Sequence, residues 1–337
     1  MRLLVTGGAG FIGSHLVEHL IQRHPDWSLT VLDALTYAGS PQNLAAVRNS
    51  DRLRLIEGRI EDEVCVRDAM AGVQTVARLA AETHVDRSIA DPAPFLTTNV
   101  LGTQVLLDAA RRARVTKFLH VSTDEVYGSL GEEGRFTEES PLDPRSPYAA
   151  SKAAGDQLAR AYFHTYALPV VVVRPSNTYG PRQYLEKFLP VLITNALEGR
   201  PLPVYGKGRN VRDWLWVHDL CRGLEAGLLR AVPGEVLNLG GNQERENLGV
   251  ARLVLELVGR PPELLTFVED RPGHDFRYAL DSSRARDRLG WVPEVAFEEG
   301  LARLIAWYRE NESWWQDRKQ LVEASSRGFW TEPVAGR

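Results

Sequence analysis

An α/β fold, a doubly wound parallel sheet with a smaller mixed α/β C-terminal domain, is predicted by three features of the chain. Strand-like apolar runs alternate with helical patterns from residue 2 to about 174, the rhythm of parallel strands joined by helical crossovers. A glycine-rich run, G-G-A-G-F-I-G at 7–13, stands between the first strand and the first helix. Beyond Arg174 the rhythm weakens and Gly and Pro crowd residues 199–208, so a second, less regular unit is expected.

The first strand, Leu3 to Thr6, runs into the glycine turn, and a helix follows from about Phe11 to Arg23. Gly7, Gly10 and Gly13 keep a three-residue spacing. The first permits a tight turn, the second lets the backbone approach a pyrophosphate, and the third lets helix and strand pack closely. The second strand, Leu29 to Leu32, ends in Asp33, twenty residues after Gly13. A carboxylate there accepts hydrogen bonds from a ribose 2′-hydroxyl and repels a 2′-phosphate, which selects NAD over NADP. Strand patterns at 53–57, 74–79, 117–122 and 169–174 then alternate with helical ones at 61–71, 92–113 and 145–167.

The polar segment A-A-E-T-H-V-D-R-S-I, 80–89, reads as a loop at the carboxyl end of the fourth strand, where ligands bind in such sheets. S-N-T-Y-G-P, 176–181, reads as a turn ahead of a helix over 185–198. A strand at 212–216, a helix at 217–230 and a strand at 235–239 are expected to return to the first domain. The helix 247–258, a strand near 264–268, the loop D-R-P-G-H-D and helices 281–289 and 297–310 build the smaller unit. The expected division is 1–180 with 212–242 returning to it, then 181–211 with 243–315, then a tail, 316–337, frayed from Ser325 onward.

Two short motifs carry the chemistry: S-T-D-E-V-Y-G (Ser122 to Gly128), directly after a buried strand, and Y-A-A-S-K (Tyr148 to Lys152), at the start of a long helix. Tyr148 and Lys152, four residues apart, share one helix face. A phenol is a poor base at neutral pH, and an ammonium one turn away lowers its pKa. The Thr123 hydroxyl can hold a substrate oxygen beside it. Adjacent carboxyl groups, Asp124 and Glu125, can divide labour as acid and base if their surroundings push their pKa values apart.

At 337 residues and 44% hydrophobic content, the chain fills one large core or two unequal ones. A net charge of −4 carries no nucleic-acid footprint. Cys65 and Cys221 are distant from each other and lack a histidine cluster, so neither a metal nor a disulfide is expected. Strand-forming residues begin at Arg2 and no apolar run reaches membrane length, so a cytoplasmic protein with no membrane partner is expected.

These residues resemble the extended short-chain dehydrogenase/reductases that act on nucleotide sugars. Within them, S-T-D-E-V-Y-G, A-A-E-T-H-V-D-R-S-I, E-K-F-L-P, G-R-N-V-R-D-W and D-R-P-G-H-D are together similar to the dTDP-glucose 4,6-dehydratase family, over about residues 1–315. The resemblance implies a lyase with a tightly held NAD that oxidises glucose C4, eliminates water across C5 and C6, and returns hydride to C6. It implies Tyr148, Lys152 and Thr123 at the oxidation, Glu125 as the base at C5 and Asp124 as the acid on O6. Related 4-epimerases lack this carboxyl pair, and UDP-glucuronate decarboxylases keep only the Glu. Such a decarboxylase, a dehydratase on another nucleotide sugar, and a non-catalytic NAD-binding regulatory protein are the rival readings.

By the same resemblance, cofactor contacts fall on Phe11, Ile12, Asp33, Ile60, Ala80, Ala81, Thr98, Tyr148 and Lys152. Substrate contacts fall on Thr83, Thr123, Asn177, Lys187, Phe188, Pro203, Val204, Tyr205, Arg212, Asn247, Arg271 and His274. Arg212 and Arg271 suit a diphosphate. A homodimer is implied, joined through the helix at 92–113 and the Tyr148 helix. Three positions depart from the family pattern: Arg59 stands for an Asp, Thr178 for an Asn and Arg78 for a His.

Overall fold

The computed structural model describes residues 1–325, and the fraying expected beyond Ser325 lies outside the described residues. In chain order come β1 (Arg2–Thr6), α1 (Phe11–Arg23), β2 (Ser28–Asp33), β3 (Leu53–Glu57), α2 (Glu63–Ala69), β4 (Thr75–Arg78), α3 (Val85–Ala90) and α4 (Ala93–Leu96). A π turn (Thr97–Leu101) leads into α5 (Gly102–Ala113), followed by β5 (Lys117–Val121), α6 (Pro147–Tyr166), β6 (Val170–Pro175), β7 (Asn177–Tyr179), α7 (Phe188–Glu198) and β8 (Leu202–Tyr205). The chain continues through β9 (Val211–Trp216), α8 (Val217–Arg230), β10 (Val236–Leu239), β11 (Glu244–Glu246) and α9 (Asn247–Val258). It then forms β12 (Leu265–Val268), α10 (Ser283–Leu289), α11 (Phe297–Glu310) and α12 (Glu312–Ser325).

Seven strands form one sheet in the order β10-β6-β5-β4-β1-β2-β3, each pairing parallel. Strand residues alternate between two cores. Leu3 and Val5 face α1 and α8, whereas Leu4, Val76 and Phe118 face α2, α5 and α6. Because β1 lies between β2 and β4, the crossovers depart in opposite directions there, leaving a crevice above the strand carboxyl ends.

A third core lies in the second lobe, where Tyr179, Trp214, Phe297, Tyr308 and Trp315 are buried together. Its strands are β11-β9-β7 and the parallel pair β12-β8.

Several expectations change. Residues 177–179 form a strand parallel to β9 rather than a turn, because Tyr179 is drawn into the aromatic core between Trp214 and Trp216. Residues 85–90 of the expected polar loop are helical, with the His84 side chain capping the Arg87 amide. The expected helix over 92–113 is interrupted by the π turn. β9 joins the three-stranded sheet, not the large one, while β10 pairs with β6. α10 packs on α8 and β10, burying Ala285 and Leu289 in the first lobe's core. Residues 316–325, the start of the expected tail, belong to helix α12, which Trp315 and Val322 bury against the second lobe.

Candidate active site

The glycine turn is dictated by contact distances. Gly7 has φ +70°, and a Cβ there would sit 2.6 Å from the Ala80 nitrogen. A Cβ on Gly13 would lie 2.0 Å from the Gly7 carbonyl oxygen, so no other residue lets α1 start this close to β1. Helix α1 begins at Gly10 with no side-chain cap and no acidic residue in its first turn. Its first amides are thus left for an anion. Asp33, buried at the end of β2, accepts hydrogen bonds from the amides of Ala9 (2.8 Å) and Leu35 (2.9 Å), which braces the turn. Burial pushes its carboxyl up, and these amides oppose the rise.

One cleft is lined by Gly7, Gly10, Phe11, Ile12, Gly13, Asp33, Ile60, Ala80, Ala81, Thr98, Tyr148 and Lys152. These are all the positions expected to meet the cofactor, and the bare glycine turn with an open helix start fits a dinucleotide pyrophosphate. Arg59 also lines it, largely exposed and paired with Glu61 at 3.4 Å.

The candidate reactive groups, Thr123, Asp124, Glu125, Tyr148 and Lys152, line the same cleft. β5 ends at Val121, and Thr123 caps the short turn Asp124–Tyr127 by accepting from the Glu125 amide. Thr123 Oγ1 donates to Asp124 Oδ1 at 3.2 Å. Helix α6 is started by Ser146, which caps the Ala149 amide, and by Pro147, preset for a first helical position. This start holds Tyr148 against Phe95 and turns Lys152 inward, where Nζ donates to the Val121 carbonyl at 2.7 Å.

Electrostatics separates the two carboxyls. Burial pushes Asp124 well above the usual carboxylate range, and Glu125 and Asp213 push the same way, favouring its protonated form. Burial raises Glu125 as well, but Arg271, Arg212 and Lys187 face it and favour its charged form. Two adjacent carboxyls thus stand in different surroundings, one pressed by carboxylates and the other by cations. The expected lowering of Tyr148 by Lys152 is not what the fold produces. Burial, and then Glu125, raise the phenol, while Thr123 and Arg78 pull it down. Desolvation of a phenolate outweighs one cation whose Nζ is directed at a carbonyl.

A second cavity opens from the first, and Thr83, Asn177, Lys187 and Glu125 line both. Phe188, Tyr205, Arg212, Asn247, Arg271 and His274 line its outer part. Lys187 Nζ donates to the Thr83 carbonyl at 2.6 Å. Arg212 lies over the Tyr278 ring at 4.4 Å and donates to the Val211 and Asp275 carbonyls. Arg271 stands 3.7 Å from Asp86. Three cations converging on one cavity suit a diphosphate.

Pro203 and Val204 line neither cavity: Val204 is buried in the second core, and both lie in the β8 pairing with β12. Conversely, Tyr278, Trp214 and Asp86 line the outer cavity without having been singled out individually. Asp86 falls in the polar 80–89 segment at the ligand-binding face, a usable signal, whereas Tyr278 follows no motif.

The profile of the GDP-mannose 4,6 dehydratase family matches residues 4–304. A dTDP-glucose 4,6-dehydratase from Actinoplanes sp. is 51% identical over 94% of this chain and 100% of its own. Another, from Streptomyces griseus, is 52% identical over 96% and 98% of the two chains. The crystal structure of DesIV, a dTDP-glucose 4,6-dehydratase from Streptomyces venezuelae with NAD bound, superposes with a TM-score of 0.92 at 48% identity, covering 94% of this chain and all of that one. With about half of the residues identical over nearly the whole length of these relatives and the fold superposed, the chain belongs to the dTDP-glucose 4,6-dehydratase family.

Proposed function

We propose that this chain converts dTDP-glucose to dTDP-4-keto-6-deoxyglucose as an NAD-dependent lyase. The observation that carries the reading is the adjacent Asp124–Glu125 pair, one buried and one half-buried, beside Tyr148 in one cleft: carboxylates push the first further toward its protonated form, while three cations oppose the rise of the second. An epimerase needs no second acid, because hydroxide is not expelled. A dehydratase does, since hydroxide leaves poorly until protonated.

Held along the Gly7–Gly13 turn and Asp33, NAD would supply the hydride acceptor for C4 and the donor for C6. Tyr148 takes the proton from O4, with Thr123 holding that oxygen and Lys152 behind it. The resulting 4-keto group acidifies the C5 proton, which Glu125 removes while Asp124 protonates the departing O6. Glu125 then reprotonates C5. In the second lobe, Lys187, Arg212 and Arg271 hold the diphosphate, with Asn247, Tyr205 and His274 around it. The cleft between the lobes shields the reaction from water.

A homodimer is part of this reading. Leu96 and Leu101, beside α5, and Tyr166, at the end of α6, are each at least 50% exposed on the segments expected to meet a partner. Two free cysteines fit a reducing compartment such as the cytoplasm, and no helix among the described residues is long and apolar enough to cross a membrane.

The test is incubation of the NAD-loaded protein with dTDP-glucose, with product identified by mass and NMR. The expected product is the 4-keto-6-deoxy sugar, with no net NADH. Recovery of a C4 epimer, a pentose from a UDP-glucuronate control, or no turnover of any nucleotide sugar would each overturn the reading.

A further inference from the structure

Arg78 ends β4 with no solvent exposure. One guanidinium nitrogen donates to the Asn99 carbonyl at 3.4 Å, while Nε and Nη1 have no partner among the described residues. Beside it, in register on β5, is His120, fully buried with both ring nitrogens equally unpartnered. On the next strand, Arg174 is satisfied instead by a two-pronged bond to Asp156. These groups lie between the sheet and α6, the helix that carries Tyr148 and Lys152. An arginine left short of partners in so buried a place costs stability, and such a cost is retained where it serves a site.

The surroundings say what it serves. The Asn99 carbonyl that Arg78 engages lies in the π turn, and the Asn99 side chain bonds Glu82 on one side and Ser151 of α6 on the other. Ser151 in turn donates to the Tyr148 carbonyl. A buried lysine sheds its proton readily, and burial together with Arg78 does drive Lys152 downward. Arginine does not shed its proton: even here it is lowered only to about 10 and stays charged at neutral pH.

We infer that Arg78 is a positioning residue for the oxidation step, a permanent buried cation behind α6 that makes Tyr148 a better base whatever the protonation of Lys152. The groups facing Tyr148 are few. Asp124 and Glu125 oppose its ionisation from the β5 side, and Lys152 shares its helix. On α3, Asp86 and Arg87 are engaged with Arg271 and Glu186, and residues 93–101 carry no charge. His120 is held neutral by burial and by the cations around it. Arg78 is thus a fixed positive charge on the sheet side of the phenol that no carboxylate among the described residues offsets, whereas Arg174 is bonded to Asp156.

The inference rests on the proposed dehydratase reading, and its test separates the two. R78M removes the charge at similar volume, and R78Q, which keeps a donor for Asn99, takes its place if R78M does not fold. The acid limb of the kcat–pH profile for dTDP-glucose should move up by about one pH unit, a tenfold loss below the limb. Meanwhile the cofactor-free variant should melt no lower than wild type, because an under-partnered buried charge is gone. An unmoved limb, or a lower melting temperature with kcat reduced equally at every pH, overturns the assignment and leaves Arg78 a structural residue. A wild type without turnover strikes the proposed function instead. The melting comparison, which needs no substrate, still reads Arg78, and a lower melting temperature then overturns the inference.

Discussion

Replacing Asp124 by Asn separates the oxidation from the elimination. The carboxyl is 2% exposed, accepts from Thr123, and is pushed toward its protonated form by burial and by Glu125 and Asp213. Asn has nearly the same shape and no charge, so the swap exchanges one neutral group for another and leaves the cleft intact. What is lost is the proton for O6. General acids contribute about 10²- to 10⁴-fold, or about 3 to 5 kcal/mol of barrier, so dehydration should slow by that much while C4 oxidation stays within a few-fold. In a single turnover followed by absorbance, the reduced cofactor should form at the normal rate and then persist. Stability gives an independent reading. A carboxyl raised on folding contributes stability that is full below its unfolded pKa and lost as pH rises toward its folded one. Asn does not titrate, so the melting temperature of D124N should gain on wild type as pH rises above about 4. Dehydration at the wild-type rate, or a melting difference independent of pH, would refute the assignment of Asp124 as a protonated acid.

Three further outcomes are expected. Asp213 is 1% exposed and raised by burial from 3.8 to about 6 despite the amides of Gln243, Asn242 and Gly241. The gap of about two units corresponds to about 3 kcal/mol, so wild type should lose stability of that order between about pH 4 and about pH 6, and denaturant melts should show the loss absent in D213N. D156A strands Arg174, 1% exposed and bonded to Asp156 at 2.8 and 3.1 Å, and should cost about 3 to 5 kcal/mol in the same melts. G13A places a methyl 2.0 Å from the Gly7 oxygen, so the turn must open; NAD affinity by fluorescence titration should fall at least about tenfold.

Where the sequence was legible, the determinants were local. The helix at 11–23, the strand at 53–57 and the helix at 297–310 appear at their expected bounds, because a periodic apolar face shows within a dozen residues. The glycine spacing and the four-residue separation of Tyr148 and Lys152 likewise needed only chain geometry. The three-residue strand at Tyr179 was beyond any periodicity, and the π turn at Thr97–Leu101 reads as ordinary helix. Pro203 and Val204 carried a motif signal yet line neither cavity, and Val204 is buried in the second core.

By itself the sequence determined the doubly wound frame and the dinucleotide turn, and it grouped the candidate reacting side chains in two short motifs, since each is written in neighbouring residues. The different electrostatic surroundings of the two carboxyls were decided only by tertiary structure. Asp213, Arg212 and Arg271 reach Asp124 and Glu125 from more than eighty residues away. The sign of the shift on Tyr148 was decided in the same way. A pKa sums burial and charge over everything folded around a group, and those neighbours share no stretch of chain.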